Sequence, residues 1–144
     1  MTDASHFVTE SGETPTADGR FVDVNAVVPV ESLPGLEFRP VLGDRTLTNF
    51  VRFAPHTEAP MHSHQEEQIV LVLEGEFEFE IDGNVRLMRA GDVAVIPSWV
   101  RHGARTKDAS CFEVDFFNPP RSTMVDHATA QLTASQISGD RAQA

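Results

Sequence analysis

Tyrosine is absent from this 144-residue chain, and only one cysteine and one tryptophan occur. Basic residues are scarce too: 11 Lys+Arg stand against 22 Asp+Glu, a formal net charge of −11. Each shortage excludes something. A lone Cys111 cannot form an internal disulfide, which excludes a cross-linked scaffold and fits a reducing compartment. Without a basic stripe there is nothing to displace phosphate counterions, so nucleic acid is not an expected partner. The same acidity argues against docking on an anionic leaflet. The longest uninterrupted apolar run is Ile69–Leu73, far short of the roughly 18 residues of a membrane span. Residues Met1 to His6 have neither a basic nor an apolar region, so no signal peptide is expected and the expected location is cytoplasmic.

What is present is one domain's worth of chain, 40% apolar and 23% charged. Residues 1–19, rich in Ser, Thr, Glu, Gly and Pro, read as a loose arm. Residues 126–144 read as a tail or a weak helix around 130–137, and residues 20–125 as the folded domain. Within it the pattern is short strands and turns. Leu47, Asn49, Val51 and Phe53 alternate with Thr48, Phe50 and Arg52. Residues 68–73 are apolar on both faces, as in a central strand between two packed sheets. Phe77, Phe79 and Ile81 alternate with Glu76, Glu78, Glu80 and Asp82, a strand with one wet face. Asp82-Gly83-Asn84 signals a hairpin, Pro97 stops the strand at 93–96, and residues 110–117 form the last strong strand. Short strands so spaced indicate an all-β sandwich or barrel.

The sharpest local feature is His62-Ser63-His64. Residues two apart in an extended segment face the same side, so both imidazoles can reach one point. Gln68 shares that parity, and His102 follows the strand that ends at Pro97. Three imidazoles and one side-chain carbonyl make a mixed N/O site for one divalent transition metal: Zn, Ni, Mn, Fe, Co or Cu. Glu66 or Glu67 is the rival fourth ligand, reached through a local bulge. His6, His56 and His127 read as solvated.

Residues 60–102 resemble the two motifs of the cupin superfamily. The first pairs H-x-H with a later acid and a glycine; here it reads His62-Ser63-His64, Gln68 in the acid's place, and Gly75. The second reads Gly91, Pro97, Trp99 in place of glycine, His102, and Thr106 in place of asparagine. The resemblance implies a single-domain jelly-roll β-barrel holding a metal through His62, His64, Gln68 and His102. The chain is similar to the small cupins that include the uronate-ring-opening enzyme of pectin and alginate breakdown, through Val72-Leu73-Glu74-Gly75-Glu76-Phe77 and the closing Asp115-Phe116-Phe117-Asn118-Pro119-Pro120-Arg121. In that group a carboxylate on the last strand and the Arg after the Pro pair line the site, which points to Asp115 as general base and Arg121 as a substrate contact. Polyketide cyclases are also among the similar cupins.

Aromatic residues supply the expected lining: Phe50, Trp99 at the pocket mouth, and Phe117, with Phe77, Phe79, Phe112 and Phe116 as further candidates. Arg52 could pair a substrate carboxylate. The expected activity is Lewis-acid chemistry on a small carbonyl or enol substrate, of lyase, isomerase, dehydratase or cyclase type. An Fe- or Cu-dependent dioxygenase acting on a diketone or phenol and a non-catalytic binding cupin are the alternatives. A homodimer formed through sheet edges is expected by analogy.

Overall fold

The computed structural model describes residues 2–7 and 12–137. Nine strands are found among them, every pairing antiparallel: β1 (Val30–Leu33), β2 (Leu36–Leu42), β3 (Leu47–Phe53), β4 (Glu58–His62), β5 (Glu67–Ile81), β6 (Asn84–Arg89), β7 (Val93–Ile96), β8 (His102–Arg105) and β9 (Cys111–Asn118). One helix, α1 (Ser122–Ile137), follows them. The strands run in the order β1-β2-β3-β9-β5-β8-β4, with β6 and β7 also pairing β5. The sheet curls into a half-barrel of the cupin jelly-roll kind, the all-β architecture expected from the strand pattern.

The curl is made by β5. Its first half pairs with β7 and β9, and its second half with β6 and β8. Between the halves lie a register shift at Val72/Glu74 and Gly75, whose φ is +74°. A Cβ at Gly75 would sit 2.0 Å from the Ser110 carbonyl oxygen, so only glycine lets β5 bend against the start of β9. The Asp82-Gly83 hairpin forms with both residues at positive φ, +47° and +86°, the twist a two-residue antiparallel turn demands.

Alternation sets which side chains enter the barrel. Val51, Val70, Val72, Phe77 and Ile96 form its core, and Phe53 meets Phe77 edge-on at 5.3 Å between ring centroids. On the outer side of β5, Glu78 receives Arg105 at 2.9 Å and Lys107 at 2.7 Å. Residues 68–73 depart from the expected two-sided burial. Val70 and Val72 face the core, but Ile69 is 38% and Leu73 40% exposed, because no second layer covers that face among the described residues.

The segment read as a tail or weak helix is helical from Ser122 to Ile137 and packs Ala128 against Leu47 and Phe117; residues 138–144 lie outside the described residues. In the arm, Thr16 Oγ1 donates to Asp44 at 2.6 Å, and just beyond it Arg20 donates to the Leu42 carbonyl. Positions 1 and 8–11 of the arm also lie outside the described residues. No helix among the described residues is long and apolar enough to cross a membrane.

Candidate metal centre

His62 ends β4 and His102 opens β8, and the two are register partners. Close approach of these strands depends on Gly103, where an added Cβ would meet the Met61 sulfur at 2.9 Å and the Ala59 carbonyl oxygen at 3.0 Å. His64 lies in the loop between β4 and β5, and Gln68 is the second residue of β5. One ligand nitrogen from each of the three histidines lies within 4.8 Å of the others. His64 and His102 are buried and His62 is the most accessible.

Hydrogen bonding fixes the orientation of all three rings. Each Nδ1 faces a backbone carbonyl: His62 to Pro60 at 2.7 Å, His64 to Glu66 at 2.9 Å, and His102 to Val100 at 2.9 Å. A carbonyl only accepts, so every Nδ1 carries hydrogen, and in the neutral form of each ring it is Nε2 that presents a lone pair. Burial pushes His102 down to about 4, helped by the charges of His62, His64 and Arg121. Burial lowers His64 as well, followed by Arg121. Both rings are therefore neutral near pH 7 and able to bind metal.

Gln68 completes the arrangement. Its Oε1 lies 3.1 Å from His64 Nε2 and 3.0 Å from His102 Nε2. With both Nδ1 atoms already donating, these contacts set acceptor against acceptor inside the protein. A cation at their centre would satisfy all of them, and orientation of imidazoles through Nδ1–H is how metal-binding histidines are held. The residues present fit a divalent transition metal.

Residues 49–114, which hold all three histidines and Gln68, match the cupin domain family. That match spans 66 of the 144 residues. KdgF from Halomonas sp. is similar in structure, with 28% identity, a TM-score of 0.70, and coverage of 74% of this chain and 99% of that one. An RmlC-like cupin from Shewanella frigidimarina shares 25% identity over 74% of this chain and 96% of its own, with a TM-score of 0.69. The DMSP lyase DddQ from Ruegeria pomeroyi shares 28% identity over 53% of this chain and 39% of its own, with a TM-score of 0.51. No curated protein matches the sequence.

Around the histidines is a cavity of about 230 Å³. Phe77, Phe79 and Phe117 line it, as do Asp115 and Arg121. Arg121 Nη1 is 3.1 Å from Glu66 Oε1, and that carboxylate also lies 3.7 Å from His64 Nδ1. Glu66 is thus engaged behind His64, on its Nδ1 side, and Glu67 is exposed; Gln68 is the side chain whose oxygen faces the triad.

Three expected contacts lie elsewhere. Phe50 and Arg52 have the opposite parity on β3 from Asn49, Val51 and Phe53, so they are on the outer face. Arg52 stacks over the Phe112 ring at 4.0 Å and lines a separate open groove of about 440 Å³ that touches none of the histidines. Trp99 is 65% exposed and does not line the cavity. Its φ of +68° is the left-handed conformation that glycine, usual at this motif position, adopts without strain. The backbone there still serves the site, because Trp99 N donates to the His64 carbonyl at 2.8 Å. Thr106, at the motif's asparagine position, ties loops together: its Oγ1 donates to the Ala54 carbonyl at 2.6 Å and accepts from Thr57 N at 3.0 Å.

Two inward polar residues were not anticipated. Glu113 precedes Asp115 by two positions and lines the same cavity; Asn49 is the register partner of Asp115 on β3. Parity would have found both. Asn49 Nδ2 and Oδ1, Glu113 Oε2 and Asp115 Oδ1 are buried without hydrogen-bond partners. Burial, then the charge of Asp115, raises Glu113 well above the ordinary carboxylate range. Burial pushes Asp115 up to about 6, against hydrogen bonds with Glu113 and Gln68 that hold it down.

Proposed function

We propose that this chain is a divalent-metal-dependent enzyme that moves a proton on a small oxygenated substrate, with an elimination, isomerisation, dehydration or cyclisation as the outcome. One observation carries the reading: three imidazole lone pairs and the Gln68 carbonyl oxygen converge with no donor among them. A divalent metal held by His62, His64, His102 and Gln68 would supply Lewis-acid stabilisation of negative charge on a substrate oxygen. Neutral Gln68 in place of a carboxylate leaves that site more positive.

The chain's own groups do the rest. Asp115, in the same cavity, accepts the substrate proton, and its raised pKa of about 6 suits a base working near neutral pH. Arg121, anchored by Glu66, offers a guanidinium to an anionic group on the substrate. Phe77, Phe79 and Phe117 exclude water from the reacting centre. A cavity of about 230 Å³ lies below the usual range of drug-sized sites, which limits the substrate to a small molecule.

The test is elemental analysis of untagged protein purified without chelators, followed by an oxygen-electrode trace with diketones and phenols. Zinc, nickel, manganese or cobalt at about one per chain, with no oxygen uptake, is the expected result. Iron or copper with oxygen consumption would replace this reading with a dioxygenase. Absence of metal would overturn it.

A further inference from the structure

Two stretches of the barrel's outer surface differ in kind. Outside the second half of β5, Glu76, Glu78 and Glu80 are matched by Arg89, Arg105 and Lys107 in ion pairs, the ordinary covering of a wet sheet face. Outside the first half the charge is gone. The register lays Val41, Thr48, Phe116, Ile69 and Val95 in one row across β2, β3, β9, β5 and β7. A second row beside it carries Phe50, Val114, Leu71 and Val93 across β3, β9, β5 and β7. All but Thr48 are apolar, in a chain whose formal net charge is −11. Ile69, Val93, Val95 and Phe116 are exposed. A contiguous apolar patch on a charged surface marks an interaction site.

The third row decides what fits there. Arg52, Phe112 and Glu74 are register neighbours, with β9 in the middle and the two charges on either side of it. Arg52 stacks over Phe112 but has no ion pair among the described residues, because Glu37, opposite it on β2, is bound to Arg39 at 2.5 Å. Glu74 is exposed and likewise has no ion pair among the described residues. When a second copy is turned over about an axis along β9, each Arg52 comes to face the other copy's Glu74, twice by symmetry. The same rotation lays Ile69 on Thr48, Leu71 on Phe50 and Val95 on Val41, while Phe116 and Val114 meet themselves. Aligned sheets pack within about 30° of one another, so the rows stay matched near the axis. Three rows over five strands cover roughly 500 Å² per copy, and the resulting total of about 1,000 Å² is the lower bound for a specific interface.

We propose that the outer face of β3, β9, β5 and β7 packs on the same face of a second copy of this chain, across a two-fold axis along β9, with Arg52 of each copy against Glu74 of the other. The contact uses the face of the sheet and not its edges, and it supplies the second layer that Ile69 and Val95 lack. It does not depend on the metal reading.

Sedimentation equilibrium of the full chain, from about 1 to 200 μM in about 0.15 M salt, tests it. The parent should dimerise with a Kd of about 10–50 μM, as suits so small a contact. Ile69→Lys and Val95→Lys, both at exposed positions, should each weaken the dimer at least about 10-fold, with far-UV circular dichroism verifying the fold. Arg52→Glu and Glu74→Arg each set like charges face to face and should weaken it about 10-fold. Combined in one chain, the two reversals restore opposite charges across the axis and should return the affinity to within about threefold of the parent's. A parent that stays monomeric at about 200 μM, or a dimer indifferent to both lysines, would overturn the proposal. So would charge reversals without effect, or a double reversal that recovers nothing, because the charge match is what names a second copy as the occupant.

Discussion

The two faces of β9 have exchanged their usual roles. Outward by parity stand Phe112, Val114 (only 4% exposed) and Phe116, and inward stand Cys111, Glu113, Asp115 and Phe117. The reversal spreads sideways through the register. Outside, Phe116 pairs with Ile69 and Ile69 in turn with Val95, while Gln68 and Asn49 join the carboxylates within. Ile69, Val93, Val95 and Phe116 are 38%, 56%, 54% and 41% exposed, yet four polar side-chain atoms inside have no partner. An interior built for stability alone would be apolar there, since an unpaired buried polar group costs about 1–3 kcal/mol. Polarity turned inward against that cost marks the face where function is located.

Neighbouring phenylalanines offer the largest test of this contrast. Phe117→Ala should cost about 3–5 kcal/mol in urea unfolding, because Phe117 is buried against Leu47 and Ala128 and meets the His64 ring edge-on at 5.7 Å. Phe116→Ala, one residue away but facing outward, should cost less than about 1 kcal/mol. Comparable losses would contradict the assignment of faces.

A smaller effect of opposite sign is expected at Asn49. Replacing its unpartnered amide in Asn49→Val should stabilise the metal-free protein by about 1–2 kcal/mol, measured by the same unfolding curves. A loss of stability would contradict the description of that amide as an unsatisfied group.

The pH dependence of the metal-free protein gives the finest comparison. His102 titrates at about 4 instead of 6.5, so between those values the unfolded chain binds more protons and stability falls as pH falls. Asp115, raised from 3.8 to about 6, acts in the opposite sense: the folded chain binds more protons there, and stability falls as pH rises. Asp115→Asn removes the second effect and, with that charge gone, lessens the like-signed contribution of Glu113. Its Tm should climb more steeply than the parent's from pH 4 to 6.5, and parallel curves would contradict the opposition.

These faces also explain what could be read in advance. Strand parity and turn residues expose the β architecture, and H-x-H with a later histidine exposes the three imidazoles, because both depend on local spacing. Phe50 and Arg52 went astray for a different reason. The alternation of Leu47, Asn49, Val51 and Phe53 against them is plain, but an aromatic and an arginine look like pocket residues until the inward set is known. On β9, hydrophobic alternation alone would turn Phe112, Val114 and Phe116 inward; family resemblance put Asp115 inside, and Glu113 then follows from its parity. Trp99 could not be read at all, since a backbone requirement for positive φ says nothing about where an indole points.

The most direct test of the central claim is metal stoichiometry in the parent chain and in His62→Ala combined with His102→Ala. The parent should hold about one divalent ion per chain, and the double variant should hold none while keeping its far-UV spectrum and cooperative unfolding. Full retention of metal by the folded double variant would contradict the assignment of these imidazoles as the centre on which the inward face is built.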